Sequence, residues 1–193
     1  MASPVDPNDV MMTGENSFIR FSPDGGKTQT DRVSHWRVLW CPAGAGHALF
    51  MQSTLTSGAV RIWSDNAPVA RWLQKEIESL LYPAFADQKT PVAQGVFTRS
   101  GGIDSRAAEL VTAKDAEVLL SWENFLAPFV LTMPPGSTNR PIGVFSTFFP
   151  ARAARISLDG RLAAGALWAE KRGERDSTSA VLAWSETWVK PRG

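Results

Sequence analysis

From Val33 onward, apolar and polar residues alternate with a period of two, which is the pattern of half-buried strands. Val33–Trp40 is the first sustained strand this predicts. Pro42-Ala43-Gly44-Ala45-Gly46 breaks it, and His47–Thr56 and Ala59–Trp63 follow as a hairpin across Ser57-Gly58. One segment changes period. Val69, Trp72, Leu73, Ile77, Leu80 and Leu81 recur at helical spacing, with Arg71, Lys75 and Glu78 on the other side. Ser64, Asp65 or Asn66 can cap this segment, Pro68 sits in its first turn, and Tyr82-Pro83 ends it. The spacing therefore predicts one amphipathic helix over about 66–82 that lays its stripe on a sheet. Alternation then returns in Val92–Arg99, Arg106–Ala113, Glu117–Glu123, Phe125–Met133, Ile142–Phe149, Ala153–Leu158, Leu162–Arg172 and Ala180–Val189. Turn chemistry separates these segments, and Asp159-Gly160 is the clearest two-residue hairpin among them.

Many short strands in succession with one helix predict a mainly β fold: an antiparallel, calycin-like β-barrel, or a split β-barrel with the helix across its open side. Closure removes exposed strand edges, and a barrel of about eight strands can hold one small ligand. The Gly-x-Trp signature of lipocalins is absent near the first strand, so no family is assigned. Residues 1–32 are rich in Pro, Asp, Asn, Gly and Thr, and only Ser17–Phe21 reads as a short strand. They are expected to form a partly ordered N-terminal arm, with residues 33–193 forming a single barrel domain.

Composition narrows the function classes. The 193 residues carry 20 Lys+Arg against 19 Asp+Glu, a net charge of +1, which argues against a dedicated nucleic-acid binder. One Cys excludes an internal disulfide and a multi-Cys zinc site. The N-terminus has no basic and apolar leader pattern. The longest stretch free of Asp, Glu, Lys and Arg, Val38–Val60, is interrupted by Pro42 and three glycines. A cytoplasmic protein without membrane contact is the expectation. Ala43–Leu49 begins like a dinucleotide loop but places Leu49 where the third glycine belongs, and no other nucleotide or hydrolase motif occurs, so no cofactor is expected.

What remains unusual is eight Trp beside one Tyr. Strict alternation places Leu182, Trp184, Glu186 and Trp188 on one face of the last strand, a carboxylate between two indoles. Facing inward, that carboxyl would be desolvated and suited to proton transfer; facing outward, it would be an ordinary surface group. His35 and His47 are the only imidazoles, on neighbouring strands, and become its candidate acid/base partners. A metal held by both would need a third ligand such as Glu123 or Glu186, and no metal is expected. Cys41 reads as a buried structural thiol. Trp36, Trp122, Trp168, Trp184 and Trp188 are candidate cavity walls, with Arg37 and Arg61 as candidate clamps for a substrate carboxylate. These residues lead to a cofactor-independent enzyme of lyase, hydratase or isomerase type, acting on a small apolar or aromatic ligand. The alternative is a non-catalytic carrier or sensor of such a ligand, and a homodimer interface lined by Trp is a third use of the aromatics.

Overall fold

The computed structural model describes residues 6–191. Its strands are β1 (Val10–Phe21), β2 (Asp31–Trp40), β3 (Gly46–Gln52), β4 (Val60–Ser64), β5 (Val92–Gly101), β6 (Arg106–Ala113), β7 (Ala116–Phe125), β8 (Phe129–Met133), β9 (Gly143–Leu158), β10 (Arg161–Leu162), β11 (Ala169–Arg172), β12 (Arg175–Thr178) and β13 (Ala180–Val189). Nine of them close into a barrel in the order β1-β2-β3-β4-β5-β6-β7-β9-β13, with β13 pairing back onto β1. The pairs around this ring are antiparallel except β4–β5, which run parallel. Parallel neighbours need a crossover rather than a tight turn, and here the helix over 67–81 provides it.

Alternation decides which side chains fill the barrel. Ile19, Val33, Leu49, Met51, Trp63, Val111, Leu120, Trp122, Ile156 and Leu182 point inward and form one buried cluster. Their outward neighbours Trp36, Val38, Phe50 and Ile62 form a second cluster with Val69, Ala70, Leu73 and Ile77 of the helix. The helix therefore seals the outer face of β2–β4. Fully burying a Leu or Ile contributes about 1.5–3 kcal/mol, so Leu73 and Ile77 anchor it.

Several elements differ from the sequence expectation. The arm expected over 1–32 is, from Val10 to Phe21, a full barrel strand that completes the ring between β13 and β2. Its Gly and Asn obscured an alternation that pairing enforces. Residues 1–5 of that arm lie outside the described residues. Ile142–Phe149 and Ala153–Leu158 are one strand, β9, because the Pro150 carbonyl still accepts the Leu126 N–H at 2.8 Å. The expected strand Leu162–Arg172 is instead the two-residue β10 and, after an irregular stretch, β11. Asp159-Gly160 does form the hairpin turn, both residues having positive φ (52° and 74°). Within the helix, Gln74–Glu78 form a π-turn. The wider turn shifts the helical phase, so Glu78, expected on the polar side, is fully buried, and Leu80 is 38% exposed. Glu78 accepts hydrogen bonds from Ser34 Oγ and, at 2.6 Å, from Trp36 Nε1. No helix of the described residues is long and apolar enough to cross a membrane.

Candidate functional site

The last strand does not keep strict alternation. Ser185 adopts a left-handed conformation (φ 58°), and the register of β13 against β9 slips between Trp184 and Thr187. This bulge turns the next residues over. Leu182 and Trp184 face the barrel interior, where the Arg99 guanidinium lies 5.9 Å from the Trp184 ring. Glu186 and Trp188 face outward. The expectation that all four share one face is thereby corrected, and the cause is the extra residue at Ser185.

Outward from the bulge lies a cavity of about 140 Å³. Its floor is buried: Glu186 and Trp188 from β13, Asn16 from β1, Val144 and Phe148 from β9. Phe18, Leu131, Met133 and Leu81 complete the apolar wall, and four half-buried arginines, Arg20, Arg32, Arg140 and Arg172, stand around it. Arg20 and Arg32 are direct cross-strand partners on β1 and β2, an arrangement that like charges disfavour. One carboxylate, Glu170, pairs with Arg20 (2.6 Å) and Arg172 (3.2 Å). Arg32 and Arg140 have no salt bridge among the described residues. Arg32 stacks on Tyr82 at 4.5 Å, and its buried Nε lacks an acceptor, as does that of Arg172. Burial first, and then the neighbouring guanidinium groups, lower the pKa of Arg20, Arg32 and Arg140. At physiological pH all of them still carry charge. The buried Glu78 carboxyl opposes that lowering at Arg32 and Arg140 from behind the wall, so four arginines meet one paired carboxylate and one unpaired buried carboxyl.

Glu186 adds no further negative charge. Burial pushes its carboxyl up to about 8, against the opposing pull of Trp188 Nε1–H, which donates to Oε2 at 2.9 Å, of the nearby Ser146 hydroxyl and of the Asn16 backbone N–H. Near neutral pH it is a carboxylic acid with one O–H to donate.

The histidines sit on the other side of the wall. His35 and His47 lie inside the barrel toward one end, ring centroids 6.3 Å apart, with Phe97 stacked on His47 at 5.2 Å. His47 Nδ1 meets Asp65 Oδ2 at 2.7 Å, which orients the ring. His35 is fully buried, and neither ring nitrogen has a hydrogen-bond partner; burial, then Arg99, His47 and Arg37, hold its pKa well below the ordinary value. Glu109 Oε2 lies 3.6 Å from His35 Nε2 and accepts from Arg99 Nε at 2.9 Å; burial raises its carboxyl while Arg99 opposes the rise. Arg99 also holds Glu15 at 2.6 Å, and Arg37 reaches Glu15 at 3.4 Å. Two cations thus meet two carboxylates. The structure brings His35, His47 and Arg37 into one cluster and places Glu186 on the opposite face.

The remaining candidates scatter for identifiable reasons. Arg61 lies at the far end of β4 from His47, over the Trp63 ring at 4.7 Å and paired with Asp115 at 3.0 Å. Trp122 is interior, donating to the Phe18 carbonyl at 3.1 Å. Trp36 is under the helix, 5.6 Å from Trp188. Trp168 donates to Glu170 at 3.0 Å and lies 5.2 Å from Arg20, which holds Glu170 beside the cavity. Cys41 is buried, and burial raises its thiol. Among the described residues no group of three or more His, Cys, Asp or Glu is arranged to hold a metal. Sequence reasoning missed Arg20, Arg32 and Arg140. A usable signal existed for the first two: the turn chemistry at Ser22–Gly26 sets a hairpin in which they face each other. No family model, curated protein or solved structure matches this chain.

Proposed function

We propose that the protein binds a small organic anion with an apolar body in the lateral cavity between Glu186 and the arginines, as a carrier or sensor. One observation carries the reading. Arg20 and Arg32 stand opposite each other and beside Arg140 and Arg172, with a single carboxylate, Glu170, paired to the group. Half-buried guanidinium groups assembled against their mutual repulsion, over a floor in which Val144, Phe148 and Trp188 adjoin Asn16 and Glu186, are complementary to an anion that brings its own hydrophobic surface. Trp188 in the floor makes intrinsic fluorescence a direct reporter. Titration with 4-nitrobenzenesulfonate, a single-ring anion, should quench that fluorescence saturably and weaken with salt, and Arg32→Gln should weaken it about tenfold or more. Equal affinity of both proteins for the probe would sink the proposal.

A catalytic reading draws on a separate observation, the protonated Glu186 in the cavity floor. A carboxylic acid with a pKa of about 8 can donate a proton to a bound molecule at neutral pH. In that version Glu186 acts without His35 and His47. Mass spectrometry of a natural ligand after incubation separates the two readings: an unchanged ligand supports the carrier, and a product lost with Glu186→Gln supports the enzyme.

A further inference from the structure

We infer that the ligand of this cavity is a single-ring aromatic carboxylate that carries a hydrogen-bond acceptor on the side of the ring away from its carboxylate. The inference rests on the anion-binding reading and adds size, shape and polarity to it. Size comes first. The cavity is about 140 Å³. A cavity of about 150 Å³ accepts a benzene-sized molecule, so this space matches one ring, and a long acyl chain would have to run out of its mouth.

Shape follows from the walls. Phe148 and Trp188 in the floor and Phe18 beside them present aromatic surface, with Phe18 and Phe148 edge to face at 6.0 Å. A flat ring meets such surfaces with offset or edge contacts that a puckered ring of equal volume cannot match. The head group follows from Arg32. Its guanidinium lies over the Tyr82 ring at 4.5 Å and its Nε is buried without an acceptor, so the terminal N–H groups, which make no salt bridge among the described residues, are the ones left for a ligand. A planar carboxylate satisfies two parallel N–H groups at once, and Arg140, which makes no salt bridge among the described residues, adds a second positive charge. The arginines are half-buried and the floor is buried, so the carboxylate belongs at the rim and the ring below it.

Polarity at the inner end comes from Glu186. One of its oxygens accepts from Trp188 Nε1, and as a neutral acid it has a hydroxyl to donate into the cavity. A ligand that is wholly apolar at that end would leave this hydroxyl only the buried Ser146 hydroxyl as a partner. A phenol oxygen or a carbonyl there would accept it. The charged groups lining the same cavity are Arg20 from β1, Arg32 from β2, Arg172 from β11 and Arg140 from the segment before β9, and all keep their charge through mildly alkaline pH. Glu78, on the helix, is turned toward Ser34 and Trp36. Glu15, beside Asn16 on β1, acts on Glu186 from the barrel side and is paired there with Arg99 and Arg37, so Glu186 is the carboxyl that lines the cavity.

The test is calorimetric titration of the full chain at pH 7 with benzoate, 4-formylbenzoate, cyclohexanecarboxylate, benzamide, dodecanoate, phenyl phosphate and inorganic phosphate. Benzoate should bind about tenfold or more tighter than benzamide, and 4-formylbenzoate several-fold tighter than benzoate. At pH 9.5 the advantage of 4-formylbenzoate over benzoate should vanish, because Glu186 is then ionised. Arg32→Gln should abolish the preference for benzoate over benzamide; Arg140→Gln serves if that variant does not fold. Dodecanoate or cyclohexanecarboxylate binding as well as benzoate would overturn the aromatic single-ring class while leaving anion binding intact. Preference for phenyl phosphate would overturn the carboxylate. A 4-formylbenzoate advantage that persists at pH 9.5 would overturn the donor role of Glu186. Binding of inorganic phosphate alone, or of no anion in the set, would overturn the class and the underlying proposal together.

Discussion

Replacing Glu186 by Gln should flatten the pH dependence of stability that this one residue imposes. The carboxyl is 3% exposed, and its pKa rises from 4.5 to about 8 on folding. The sign follows from the direction. A carboxyl raised on folding stabilises the native state below pH 4.5, where both states are protonated, and that contribution is lost as pH climbs toward 8. Within that window the unfolded chain has released a proton that the native state retains, so stability falls by about 1.4 kcal/mol per pH unit, easing near the upper value. From pH 6 to pH 8 the loss comes to about 2 kcal/mol. Glutamine keeps the shape, accepts from Trp188 Nε1 and donates as the neutral acid does, but does not titrate. Urea unfolding followed by tryptophan fluorescence at pH 6, 7 and 8 measures both proteins. Every other group is common to both proteins, so the difference between wild type and Glu186→Gln isolates Glu186. The variant should gain about 2 kcal/mol on wild type across that range. Parallel curves, within about 0.5 kcal/mol, would refute the burial argument for this carboxyl.

Ser185→Gly should stabilise the fold by about 0.5–1 kcal/mol in thermal unfolding, because glycine removes the left-handed strain at φ 58° and gives back part of that in unfolded-chain entropy. A loss of stability would mean the bulge is held by something other than that strain. Arg99→Met should cost about 3–5 kcal/mol at neutral pH, since it strands Glu15 and Glu109, both nearly buried, without their shared cation. Burial already raises the Glu109 carboxyl, so the cost should shrink on acidification as Glu109 protonates, and chemical denaturation at neutral and at acid pH checks both parts.

The barrel was legible in the sequence because strand patterning is local and holds through Arg106–Ala113 and Glu117–Glu123, the segments that form β6 and β7, and the helix because its apolar spacing is distinct. What was not legible depends on single residues that shift the period. Ser185 inserts one residue into β13 and reverses the facing of Glu186; nothing in Trp-Ser-Glu-Thr-Trp announces it, since Ser is neither Gly nor Asn and the preference for a left-handed residue is weak there. The π-turn at Gln74–Glu78 similarly carries Glu78 from the polar side into the core, where Ser34 and Trp36 from a distant strand accommodate it. The parallel β4–β5 seam also arises from an element, the helix, whose presence was readable but whose direction of return was not. The candidate acid and the candidate bases were each recognised by residue type. Their separation across the barrel wall was not, because a one-residue slip exchanges the two faces.

That separation bears on which side of the wall a ligand occupies. The interior cluster is electrically closed: Arg99 and Arg37 answer Glu15 and Glu109, and His35, fully buried with its pKa held down, adds no charge. Below it the barrel is packed with Trp63, Trp122, Leu120 and Met51, all fully buried. Those side chains occupy the part of the interior beneath the cluster. The outer face has the opposite balance. Four arginines meet one paired carboxylate and the buried, unpaired Glu78, the acid in the floor is protonated near neutral pH, and the space among them matches one ring in volume. A self-neutralised cluster lowers the free energy of the folded chain without any partner, whereas an uncompensated one raises it until an anion arrives. Ligand binding should therefore stabilise the protein, and the gain should be largest for the anion that leaves no guanidinium edge and no Glu186 hydroxyl without a partner.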